Sequence, residues 1–256
     1  MRKHLLLTTA LGALMALVVA SVAIAAKDTV VEAGNIKLVI DGESGVTPKA
    51  LSKSKFTPIA FTAAGSISTK DGSQPPALKE VLLNTKNAAV NTKGYPACTS
   101  GQLQSRDTKA VEAACKSAII GKGQTVVSVA FPEQKPIPAT SPLLVFNGGT
   151  SGSSTTFYIH AYLTQPIVTA IVTTVKIKKV GNGLKTVTTV PRIAGGSGAV
   201  KSFSLKIDKK FTYKGKKVSV LSAKCVGGKI TADVTANFYD SGPMKAKVLR
   251  TCTSKP

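Results

Sequence analysis

The sequence predicts a mainly β fold. The expected form is an antiparallel β-sandwich, jelly-roll-like or immunoglobulin-like, with one short helix pinned by a disulfide; a barrel is the alternative closure. Three observations lead there. Apolar and polar residues alternate with a period of two in segment after segment. Turn signals rich in Gly, Asn and Asp separate many of these segments. No helical pattern alternates with them, so the sheets are expected to be antiparallel.

The first 25 residues are read as a cleaved export signal, and residues 26–256 as one β domain. Arg2, Lys3 and His4 make a basic start, residues 5–22 are apolar apart from Thr8, Thr9 and Ser21, and Ala23-Ile24-Ala25 supplies the small residues of a signal-peptidase site. An uncleaved anchor is the alternative, because a bilayer span takes about 20 apolar residues. No cysteine sits at the cleavage point, so no lipid anchor is expected there.

The clearest strand is "ITADVTANFY", with Ile230, Ala232, Val234, Ala236 and Phe238 on one face and Thr231, Asp233, Thr235, Asn237 and Tyr239 on the other. "KSFSLKID" places Phe203, Leu205 and Ile207 inward. "IVTTVKIKK" opposes Ile171, Thr173, Val175 and Ile177 to Val172, Thr174, Lys176 and Lys178. Further strands are expected near 36–41, 57–69, 79–83, 125–131, 143–146, 157–163, 185–190, 217–221 and 246–251. Gly181-Asn182-Gly183, Gly227-Gly228 and Ser241-Gly242-Pro243 are among the turns between them. The proline-rich stretch "PEQKPIPATSP" reads as a stiff connection, and an alternative domain boundary falls at 132–142. The one helix is expected over 108–118, capped by Asp107 and stopped at Gly121, with Ala110, Val111, Ala114 and Ala118 on its apolar side.

Cys98, Cys115, Cys225 and Cys252 carry no CxxC spacing, so neither a thioredoxin-like centre nor a zinc knuckle is indicated. In an exported chain they are expected to form disulfides. Of three pairings the sequential one, Cys98–Cys115 and Cys225–Cys252, is favoured: it staples the helix to the preceding loop and links two late strands.

The charge is strongly one-sided: 34 Lys+Arg against 12 Asp+Glu, a net +22. Nearly all of it is lysine, a hydrated point charge rather than the planar fork of arginine. This composition favours diffuse attraction to polyanions over specific readout. Aromatics are 5% and tryptophan is absent, so stacking platforms for single-stranded nucleic acid are scarce, and nucleic acid is not an expected partner. Lys176 and Lys178 in one strand, and Lys206, Lys209, Lys210, Lys214, Lys216 and Lys217 in "KIDKKFTYKGKK", are the expected anion-binding residues.

His160 is the only histidine outside the export segment. In "FYIHAYL", Tyr158, His160 and Tyr162 share a face opposite Phe157, Ile159, Ala161 and Leu163. That stripe could line a small ligand site, form a surface ladder, or be an inner face covered by a loop. One histidine among scattered acids makes no metal site, and no metal or cofactor is expected. No G-x-S-x-G elbow occurs. The carboxylate pairs Asp41/Glu43 and Asp233/Asp240 suit turns and strand ends better than glycoside hydrolysis.

Several stretches taken together — "GYPAC…L…A…AC…A…GKG" over residues 94–123, "LLVFNGG", "YIHAY…P", "VPRIAGGSG" and "C…G…F…YDSG…C" — give the chain the look of a known group. It resembles a family of uncharacterised exported proteins of actinobacteria over most of residues 36–252. The resemblance implies a secreted, mostly β protein with this cysteine pattern. No activity is attached to it, so no catalytic residue carries over.

The leading functional expectation is a non-enzymatic exported protein, secreted free or associated with the cell envelope, whose lysines meet anionic cell-surface polymers or lipid headgroups. Once the signal is removed, no membrane span is expected. A secreted hydrolase with its site around His160 is the competing reading. A module binding a small apolar ligand between the sheets is the third.

Overall fold

The computed structural model describes residues 27–104 and 106–255, so the expected export signal lies outside the described residues. The chain begins with the short strands β1 (Thr29–Ala33), β2 (Ile36–Ile40), β3 (Gly45–Thr47), β4 (Ala50–Ser52) and β5 (Thr57–Pro58). The longer β6 (Ala60–Thr69) and β7 (Leu78–Lys86) and the short β8 (Ala88–Val90) follow. The one helical excursion holds α1 (Ser100–Leu103) and α2 (Thr108–Cys115), the latter continued as a 3₁₀ turn to Ala118. Long strands then run in succession: β9 (Ile119–Val129), β10 (Ile137–Ser151), β11 (Ser154–Leu163), β12 (Thr169–Val180), β13 (Gly183–Thr189) and β14 (Gly198–Ile207). A hairpin of β15 (Lys210–Tyr213) and β16 (Lys216–Ser219) comes next, with β17 (Leu221–Ala223), β18 (Lys229–Phe238), β19 (Met244–Thr251) and β20 (Thr253–Lys255) closing the chain.

The main sheet is antiparallel throughout, in the order β1-β2-β6-β14-β9-β10-β11-β12-β13-β7-β18-β19. Its first and last strands lie side by side, so the sheet is nearly closed on itself. Of the two closures the sequence leaves open, the mainly β chain takes the barrel-like one. A sheet this wide sheds its exposed edges by curling.

Alternation decides which side chains fill the interior. Phe203 pairs with Thr125 and Gly65, and Leu205 with Gly123 and Ala63, so one face of β14 continues across its neighbours. That face is the inside. Leu38, Ile67, Val127, Val129, Leu163, Phe238 and Met244 form one packed cluster, and Ile120, Val145, Phe157, Val175, Ile177 and Val220 form a second. The inward face read from β14 is the one observed, and the two faces separated in β11, β12 and β18 stay separate in the fold. The outer wall carries Ser66 on β6, Ser202 and Ser204 on β14, Gln124 on β9, and Lys245 and Lys247 on β19. No helix among the described residues is long and apolar enough to cross a membrane.

Two expectations are corrected. Residues 137–142 are not a spacer: they form the first half of β10, paired with β9 from Ile137 onward. The prolines fit because β10 pairs with β11 only from Leu144, leaving this half edge-like on one side. There Ser141 Oγ accepts from the Tyr162 amide at 2.9 Å in place of a ladder bond. Gly121 does not stop the helix. The chain enters β9 directly at Ile119, and Gly121 lies inside that strand, where a Cβ would sit 2.4 Å from the Lys206 carbonyl oxygen.

Candidate functional site

The Tyr158, His160 and Tyr162 stripe faces outward on β11, and the helical excursion covers part of it. Asp107 caps α2 by accepting from the Ala110 amide at 2.8 Å, as its position before the apolar run requires. Leu103, Val111, Cys98, Cys115 and Ala118 pack down onto Leu144 and Phe146 of β10, with Tyr158 and Val172 alongside. The Cys98–Cys115 disulfide (Cα–Cα 5.8 Å) ties the two ends of this lid together. Asn147 fastens it to the wall: its amide donates to the Pro96 carbonyl at 2.8 Å, and its own carbonyl accepts from the Cys98 amide at 2.8 Å.

His160 is fully buried under this lid. Its Nε2 lies 3.0 Å from the Arg106 carbonyl oxygen, which can only accept, so the neutral ring carries its proton on Nε2. Nδ1 is buried without a hydrogen-bond partner. Burial lowers the His160 pKa from its ordinary value; the bond to Arg106 and the charge of Asp107 oppose this in part. The side chain is closed to substrate in this arrangement: the stripe is an outer face under a helical lid, not an inner face under a loop. Tyr158 is half-buried against the lid, and Tyr162 is half-buried beyond it. The interior of the barrel is filled by the two core clusters. One surface recess, of about 290 Å³, is lined by Asp41, Ser66, Gln124 and Ser202 together with Val39 and Phe203.

The lysines tell a different story. Strand directions give the barrel two ends. The β15–β16 hairpin, the lid and the β12–β13 turn lie at one end, here the hairpin end; the β6–β7, β9–β10 and β18–β19 connections lie at the far end. Far-end connections carry Lys70, Lys135 and Arg192 against Asp71, Glu133 and Asp240. The hairpin end holds nearly all of the excess positive charge. Of its carboxylates, Asp41 accepts from the Glu43 amide and Asp107 caps α2, while Glu112 pairs with Lys122 at 3.1 Å and Asp208 with Lys206 at 3.1 Å.

The eight expected anion-binding lysines are all exposed, but they do not form one cluster. Lys176 and Lys178 point outward from β12. Lys206 points outward from β14, with β11, β10 and β9 between, a separation of about 19 Å at the usual strand spacing. Lys206 is also paired with Asp208. Lys209, Lys210, Lys214, Lys216 and Lys217 ride on the hairpin. Phe211 packs on Tyr95 (ring centroids 4.9 Å), and Tyr213 lies against Gly94, whose φ of 74° and missing side chain admit the ring. The hairpin is therefore a docked basic lobe.

Sequence reasoning missed a second basic lobe at the same end. Lys53, Lys55, Lys86, Lys179, Lys224 and Lys229 stand on four turns that the fold brings together. The signal was legible in "KSKF", "KKVGNG" and "KCVGGK", where a lone apolar residue sits among lysines in each turn. The Cys225–Cys252 disulfide (Cα–Cα 5.9 Å) and the Leu51, Ile59 and Ala223 cluster underpin this lobe.

Comparison with protein families, curated proteins and solved structures finds no match to this chain.

Proposed function

We propose that this is an exported, non-enzymatic protein, secreted free or held at the cell envelope, that binds anionic cell-surface polymers or lipid headgroups through its basic end. The observation that carries this reading is the segregation of charge. One barrel supports both ends, yet the excess lysine gathers at one of them, where only Glu112 and Asp208 pair with a lysine among the described residues. Only three lysine–carboxylate pairs occur among the described residues, so most of the lysines present unpaired charge to solvent. Lysine suits this use because a flexible point charge follows a mobile or irregular anionic surface without demanding geometry. Export is supported by the basic, apolar and small-residue pattern of residues 2–25 and by two disulfides, which persist in oxidising compartments.

The test is co-sedimentation with isolated cell envelopes, and retention by long-chain polyphosphate, across a salt series. Binding to either that fades as salt rises is expected, since exposed charges are screened beyond about 8 Å at physiological salt. A protein that binds neither at low salt would overturn the proposal. His160→Leu is expected to leave binding unchanged.

A further inference from the structure

We infer that the turn lobe of the hairpin end is a docking face for an anionic lipid bilayer, and that Phe56, Val180 and Val226 enter the headgroup layer. This rests on the polyanion reading above and names its partner.

Four turns build the face, and their backbones are bonded to one another. The Asn87 amide donates to the Asn182 carbonyl at 2.8 Å, joining the β7–β8 turn to the β12–β13 turn. The Lys224 amide donates to the Asn87 carbonyl at 2.9 Å, and the Cys225 amide donates to the Ser52 carbonyl at 3.0 Å. The Lys224 ammonium lies 4.6 Å from the centre of the Phe56 ring. The β4–β5, β7–β8, β12–β13 and β17–β18 connections thus meet at one surface, held from below by the Cys225–Cys252 disulfide. The last of these turns is tight: Val226 and Lys229 form a bridge across Gly227 and Gly228, both with φ near +70°, and Val226 stands exposed beside the tip.

Two properties of this face select a bilayer over a soluble polyanion. First, its tips are apolar and exposed: Phe56 is 43% exposed, Val180 59% and Val226 49%. A soluble polyanion has no use for them, whereas a bilayer interface buries such side chains and takes the lysine stems with them. Second, lysines flank each tip, and no carboxylate lies in residues 52–57, 86–88, 178–183 or 224–229. A lysine near an anionic membrane surface strengthens binding by about fivefold, and apolar tips among lysines add the second attachment that stable anchoring needs. The hairpin lobe differs. Its aromatics Phe211 and Tyr213 are turned down onto Tyr95 and Gly94, so it offers charge alone.

The experiment is sedimentation of the full chain with phosphatidylcholine vesicles, with and without phosphatidylglycerol; the lipid-only control accounts for the apolar N-terminal stretch. Binding is expected to rise with phosphatidylglycerol. Phe56→Ser, Val180→Ser and Val226→Ser together should weaken it about tenfold and make the remainder more sensitive to salt. Lys53→Glu, Lys55→Glu and Lys179→Glu together should weaken it about a hundredfold. Lys214→Glu, Lys216→Glu and Lys217→Glu on the hairpin should change it less. All these positions are exposed, so unchanged thermal melting checks that each variant folds. The inference is overturned if the hairpin variant loses as much as the turn variant, or if the serine variant binds vesicles like the parent. Retention by polyphosphate without vesicle binding overturns it while leaving the polyanion reading intact. Binding to neither removes both.

Discussion

The two ends of this barrel are made by the same strands and yet differ in every property that meets solvent. Far-end connections balance their charges and close by local polar contacts. Gln74 is typical: its amide donates to the Ser128 and Ser197 carbonyls at 2.8 and 3.1 Å while its own oxygen accepts from the Ser128 hydroxyl at 2.7 Å. Hairpin-end connections carry the lid, both disulfides, the small accessory sheets and an unbalanced crowd of lysines. The far end shows that this wall closes without a charge excess. The excess at the other end works against folding through self-repulsion, and the proposed binding to an anionic surface would offset it.

If the accessory structure at the hairpin end is a platform for those lysines, cutting its covalent ties should loosen that end first. Replacing Cys225 and Cys252 with serine opens a 27-residue loop and should cost about 3.5 kcal/mol in the chain-entropy model. Replacing Cys98 and Cys115 opens 17 residues and should cost about 3 kcal/mol. Hydrogen exchange sharpens the contrast. The first variant should release the amides of β4, β17 and β20 and the second those of α1 and α2, with β6 to β7 connection amides unmoved in both. Equal loosening at the far end would show that the ends are not separate units.

A smaller effect is expected from Gly94→Ala. A Cβ there would lie 2.4 Å from the Tyr213 ring, on a backbone with φ of 74°. The substitution should cost about 1–3 kcal/mol. Denaturant melts give the magnitude, and faster exchange confined to β15 and β16 gives the place. A variant as stable as the parent would mean that the hairpin is not seated on residues 91–96.

How much of this asymmetry the sequence discloses depends on the range of the interactions behind each part. Alternation is local: it separates the two faces of β11, β12 and β18 and correctly orients β14. The helix over 108–118 and the sequential disulfides follow from equally local signals. The short strands β4, β8 and β20 carry too few residues for a period to show, and pairing partners far along the chain define them. The separation of Lys206 from Lys176 and Lys178 depends on strand order, which no local pattern encodes. His160 shows the same limit: its face is evident from "FYIHAYL", but the lid over it is a tertiary fact. The prolines of β10 mislead because the rule against them applies to fully paired strands, and that half of β10 is paired on one side only.

Salt should stabilise the fold, again through one end. Screening relieves repulsion among the hairpin-end lysines, so raising ionic strength from low to physiological values should add about 1 kcal/mol. Thermal melting at several salt concentrations measures it. Neutralising Lys214, Lys216 and Lys217 to glutamine should flatten that slope, and neutralising Lys135 and Lys245 at the far end should not. A slope unaffected by the hairpin substitutions would place the repulsion elsewhere.

The smallest effect belongs to the lid, and it separates two regions within the hairpin end itself. Burial holds the His160 pKa below its unfolded value, so between those two values the folded state binds fewer protons than the unfolded one. Stability contributed by the neutral ring is therefore complete above about pH 6.5 and declines as pH falls toward the folded value. Protonation would place a charge on Nδ1, which has no acceptor. The lid should yield first, because Arg106 and Asp107 lie at the contact. Amide exchange of residues 100–118, corrected for its intrinsic pH dependence, should accelerate from pH 8 to pH 5, while the turn lobe around Asn87 and Lys224 stays constant. His160→Leu removes the only histidine among the described residues and should abolish the acceleration. If the acceleration survives that substitution, the lid answers to other groups and the buried ring is packing alone.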